Sequence, residues 1–130
     1  MRLLPVLFIV LAVPAAAETP MSAAAFDAFA TGKTLTYALD GEVYGAEQYL
    51  PGRRVVWAFA GEDCKRGTWY EDAGQICFLY EGSPDPQCWS FLQDASGLRA
   101  HFAGDPEGSE LALVEQSDGP LICAGPEVGV

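Results

Sequence analysis

The sequence predicts a small, exported, mainly β domain: a short N-terminal helix, then an antiparallel meander of about eight strands closing into a small barrel stapled by two disulfides. Three observations predict this. Apolar and polar residues alternate over short runs, turn residues separate those runs at intervals of about ten, and four cysteines follow an apolar leader. Closure into a barrel manages the sheet edges that a meander would otherwise expose; a β-sandwich is the alternative. The turns are too short for the crossovers of a parallel sheet, which excludes doubly wound folds.

The leader reads Met1-Arg2, an apolar run from Leu3 to Val13, then Pro14-Ala15-Ala16-Ala17 before Glu18. A positive start, a short apolar core and a small-residue cleavage site describe a secretory signal peptide. The run falls short of the roughly 20 residues that span a bilayer. Residues 1–17 are therefore expected to be removed, leaving residues 18–130 as a single β-rich domain, periplasmic or secreted, with no transmembrane segment. Without Arg2 the mature chain carries 6 basic residues against 18 acidic ones. That balance excludes nucleic acid and anionic lipid surfaces as partners, and gives a solvated acidic surface or one suited to a basic partner.

After the leader, Thr19-Pro20 and Ser22 supply helix-start chemistry, and Ala23, Ala24, Ala25, Ala28 and Ala30 favour helix. Gly32 can end it in a left-handed cap. The expected helix spans residues 22–31, with Phe26 and Phe29 on one face.

From Lys33 the period changes to two. Leu35, Tyr37 and Leu39 share one face, as do Val55, Trp57 and Phe59, then Ile76, Phe78 and Tyr80, then Trp89 and Phe91. Leu98, Ala100 and Phe102 continue the series, followed by Leu111 and Leu113, and then by Leu121. Breaks fall at Asp40-Gly41, Pro51-Gly52, Gly61, Asp72-Ala73-Gly74, Gly82-Ser83-Pro84, Ser96-Gly97, Gly104-Asp105-Pro106 and Asp118-Gly119-Pro120.

The cysteines read as staples. An oxidising compartment forms and keeps disulfides. No closely spaced cysteine pair and only one histidine argue against metal, and the absence of C-x-x-C argues against redox catalysis. Three pairings are possible. If Ile76, Phe78 and Tyr80 face inward, Cys77 faces out, and Cys88 does the same beside Trp89. A register that sets them opposite each other leaves Gly82-Ser83 at the hairpin tip, suited to a type II′ turn, although Pro84 and Pro86 oppose a long ladder. Cys77 with Cys88, and by default Cys64 with Cys123, is the preferred pairing.

Residues able to do chemistry are few. His101 shares the outward parity of Arg99 and belongs on the surface. G-x-S-x-G is absent, no cysteine stays free as a nucleophile, and no acidic series has calcium-loop spacing. Glu62-Asp63, Glu71-Asp72, and Asp85 with Glu81 fall in turns, where acids are common. Arg53-Arg54 and Lys65-Arg66 are expected to pair with neighbours such as Glu62 and Asp63. No catalytic residue, metal or cofactor is assigned. The aromatics either fill the barrel or leave one mouth open as an apolar pocket lined by Trp57, Trp69 and Trp89. Gly67-Thr68-Trp69 matches the G-x-W triplet of lipocalins, but that family carries it on its first strand, and the match is read as coincidence.

The series Gly32-Lys33-Thr34, Tyr44-Gly45 with Glu47 and Tyr49, Val56-Trp57, Cys64 with Gly67 and Trp69-Tyr70, Ile76-Cys77-Phe78 with Tyr80, and Cys88-Trp89 resembles uncharacterised small exported proteins of proteobacteria. The resemblance covers Gly32 to Phe91. It implies an envelope location and a stapled β fold, and donates no catalytic residue.

The expected function is a non-enzymatic binding module. One form captures an envelope protein through the loop Gly82-Ser83-Pro84-Asp85-Pro86, as an inhibitor would. The other carries a small apolar ligand in the tryptophan-lined interior. An enzyme would need acidic groups of raised pKa in a cleft.

Overall fold

The computed structural model describes residues 8–12, 19–105, 107–108 and 110–123; the cleavage point expected after Ala17 lies outside them. The described chain is one helix, α1 (Ala23–Ala30), and eight strands: β1 (Thr34–Leu39), β2 (Glu42–Leu50), β3 (Arg54–Phe59), β4 (Lys65–Asp72), β5 (Gln75–Tyr80), β6 (Gln87–Asp94), β7 (Gly97–Phe102) and β8 (Leu111–Ser117). Each strand pairs antiparallel with the next, and β8 pairs with β1, so the sheet closes into a barrel rather than a sandwich. No described helix is long and apolar enough to cross a membrane.

Local chemistry explains the elements. The Ser22 hydroxyl accepts a hydrogen bond from the Ala25 N–H, capping α1 one residue inside the expected start. Asp40-Gly41 joins β1 to β2 with both residues at positive φ, as a two-residue I′ hairpin requires. Leu35 and Tyr37, Val55 and Trp57, Ile76 and Phe78, and Leu98 and Ala100 are all buried, so the alternation sends the expected faces inward.

Cys77 lies directly opposite Cys88 and is bonded to it, and Cys64 is bonded to Cys123. Cys77 is nonetheless fully buried on the outer side, flanked by Tyr70 across β4 and by Cys88 across β6. The ladder between β5 and β6 stops at Phe78 and Gln87. Beyond it a turn closes from the Tyr80 carbonyl to the Ser83 N–H with Gly82 left-handed inside, so Gly82-Ser83 does not form the expected tight II′ tip. Prolines that cannot donate end the pairing early.

Leu121 departs from expectation: it lies outside any strand, its N–H donating to Gln48 Oε1. Pairing of β8 with β1 has already used the last sheet edge.

One end of the barrel is plugged by α1. Phe26, fully buried, meets Tyr49 and Trp69 edge-on at 5.4 and 5.3 Å between ring centroids, and Phe91 at 4.4 Å.

Candidate functional site

The barrel is not filled. A cavity of about 450 Å³ opens at the end away from α1. Its floor is Tyr49, Phe78 and Phe91, whose rings touch Phe26 on their other side. Its walls include Tyr44, Trp57, Phe59 and Trp89, and its rim includes Lys65 and the Gly82-Ser83-Pro84 turn.

Two features of β2 shape this space. Tyr37 pairs with Gly45 and Ala38 with Val43, so Tyr44 is a bulged residue. The bulge lets Tyr44 reach Trp57 and Phe59, with ring centroids 5.9 and 5.4 Å away. Gly45 leaves room for the Trp57 ring: a Cβ there would stand 2.5 Å from it. Gly67 on β4 does the same for Tyr80, whose ring would lie 2.8 Å from an added Cβ.

The chemistry of the cavity is concentrated at Glu47. The residue is only 3% exposed, on the inward face of β2 between Gly45 and Tyr49 and opposite Trp57. The Tyr80 hydroxyl donates to Glu47 Oε2 at 2.5 Å. Tyr49 also acts on the carboxyl, and its hydroxyl is 2.8 Å from that of Tyr37. Three phenols from β1, β2 and β5 therefore converge around one acid. Burial, partly offset by the bonds from Tyr80 and Tyr49, raises the Glu47 pKa to about 8. Burial likewise pushes Tyr37, Tyr49 and Tyr80 far above the usual tyrosine range, Tyr80 with a further push from the charge on Glu47. At neutral pH the free cavity thus holds a protonated carboxyl among neutral phenols.

Of the expected pocket tryptophans, Trp57 and Trp89 line the cavity. Trp69 does not: it packs against Phe26 at the closed end, and the Arg53 guanidinium covers it at 4.4 Å from the ring centroid. Gly82, Ser83 and Pro84 of the expected partner loop form the rim, while Asp85 and Pro86 project as exposed neighbours.

The expected pairing of the basic residues with Glu62 and Asp63 is absent from the ion pairs of the described residues. Arg53 instead stacks on Trp69, and the Lys65 ammonium sits 5.7 Å from the Phe59 ring centroid. His101 lies half-buried on the outer face and pairs with Glu110, which Arg99 also contacts.

Sequence reasoning missed Glu47 and its tyrosines as a site. A signal was present: Glu47 shares the parity of Tyr49 in a segment bounded by turn signals at Asp40-Gly41 and Pro51-Gly52, so a strand there sends the acid inward.

Comparison of the chain with protein-family models, with curated proteins and with solved structures gives no match.

Proposed function

We propose that this chain is an exported, non-enzymatic binding domain that holds a small, largely apolar molecule in its barrel, with the ligand's polar group at Glu47. The observation that carries this reading is the open cavity, whose size falls in the range of small-molecule sites and whose aromatic walls converge on a single polar cluster. The two disulfides accord with an oxidising compartment, periplasmic or external. Binding fits better than turnover. Glu47 does supply an acid of raised pKa in a cleft, as an enzyme would need, but the phenols around it stay protonated near neutrality, so among the described residues no second acid–base group stands beside it.

N-phenyl-1-naphthylamine, a neutral apolar fluorophore, tests the reading. It should bind saturably, brighten, and quench tryptophan emission. Trp89→Ala should weaken binding, whereas Tyr70→Ala on the outer face should not. Non-saturable binding, or equal binding by the Trp89→Ala protein, would remove the cavity as the site.

Capture of an envelope protein is the second reading, favoured by the exposed Asp85-Pro86 tip anchored by Cys77–Cys88. Alanine substitution of that tip should then abolish capture while leaving fluorophore binding intact.

A further inference from the structure

Glu47 is a buried acid with no counter-ion among the described residues: no Lys, Arg or His of theirs forms an ion pair with it. Phenol donors can stabilise a carboxylate, but they leave its charge uncompensated, and buried charges are ordinarily paired. The surrounding wall is aromatic, and ring faces attract cations. Lys65 illustrates this at the rim, where its ammonium lies over Phe59. The whole chain, at a net charge of −11, adds a field of the same sense.

We infer that the ligand is an organic cation with an apolar body, a quaternary or protonated amine, whose charged group sits against the Glu47 carboxyl within the aromatic wall. This inference rests on the cavity being a ligand site. It gives that site a charge balance: one cation enters, the Glu47 proton leaves for solvent, and the cavity is neutral before and after. The titratable and charged groups facing the carboxyl or the cavity around it are Tyr37 from β1, Tyr44 and Tyr49 from β2, Tyr80 from β5, and Lys65 and Glu81 at the rim. From β3, β6, β7 and β8 the wall receives only uncharged groups, among them Trp57, Gln87, Ala100 and Leu111. The three phenols at the acid stay protonated near neutrality, which leaves Glu47 as the group that exchanges its proton.

The test displaces N-phenyl-1-naphthylamine from the oxidised protein with benzyltrimethylammonium or with its neutral isostere, neopentylbenzene. The cation should bind about tenfold or more tightly than the isostere, in line with a desolvated cation–π contact. Calorimetry at pH 7 in buffers of different ionisation enthalpy should show net proton release on cation binding, since an acid raised to about 8 is then mostly protonated. Glu47→Gln should abolish the release and shrink the preference to what the aromatic wall alone gives. Equal displacement by the isostere, or cation binding without proton release, would overturn the inference while the cavity reading stands. Failure of the fluorophore itself to bind would overturn both. The proton count is read on the unsubstituted protein, so it decides the matter even if the variant does not fold.

Discussion

Replacing Glu47 by glutamine removes a group whose burial should make the whole fold sensitive to pH. The carboxyl titrates near pH 8 in the fold and near its ordinary value of 4.5 in the unfolded chain. Its folded pKa is raised, so its contribution is fully present below pH 4.5 and is lost as pH climbs through 8. The unfolded chain ionises first, and every pH unit in that window lowers stability by about 1.4 kcal/mol. From pH 5 to pH 7 the loss comes to about 2 to 3 kcal/mol. Glutamine keeps the shape and hydrogen-bonding capacity of the neutral acid but cannot ionise. Urea unfolding of the oxidised, ligand-free protein and of Glu47→Gln at pH 5, 6 and 7 isolates the effect, because all other titrating groups are common to both. The stability of Glu47→Gln relative to the unsubstituted chain should rise by that amount over this range. A gap that stays constant with pH, or that moves the other way, would refute the description of Glu47 as a buried neutral acid.

Three further outcomes follow from the packing. Phe26→Ala removes the ring that plugs the closed end and should cost about 3 to 5 kcal/mol by urea unfolding; a loss under about 1 would mean that α1 does not seal the barrel. Replacing Cys64 and Cys123 by serine opens a link across 59 residues, against 11 for Cys77 and Cys88, so chain entropy gives losses of about 4 and about 3 kcal/mol; the reverse order in paired denaturation curves would contradict this. Gly45→Ala drives a methyl into the Trp57 ring and should destabilise the fold by about 1 to 3 kcal/mol while weakening fluorophore binding; unchanged stability and binding would show that the ring does not rest on that glycine.

The barrel was legible because its chemistry is local. Alternation of small runs such as Val55, Trp57 and Phe59 gives the inward face, Asp40-Gly41 gives a hairpin, and Ser22 gives a helix start. The pairing of Cys77 with Cys88 followed from the same parity, once register placed them across one hairpin. Height along the barrel was not legible. Trp57, Trp69 and Trp89 all point inward, but their depth depends on the stagger of the strands, a property of the closed sheet rather than of any single run. Trp69 accordingly sits on Phe26 at the plugged end, while Trp57 and Trp89 line the open one.

Glu47 was hidden for a related reason. An inward acid breaks the alternation rule, and what makes it tolerable is a hydroxyl 33 residues away on Tyr80, joined by Tyr37 from the neighbouring strand β1 and by Tyr49 from β2 itself. Such a cluster exists only after closure. Residue Tyr44 reaches the same space through a bulge that no composition marks. At the buried acid, local pattern and global fold disagree.

The three indole N–H signals of an amide proton–nitrogen correlation spectrum, assigned by single Trp→Phe substitutions, test the central claim most directly. On titration with N-phenyl-1-naphthylamine the signals of Trp57 and Trp89 should move to saturation together, while that of Trp69, behind the Phe26 plug, should hold its position. Movement of Trp69 alone, or of no indole at all, would contradict a ligand cavity at the open end of this barrel.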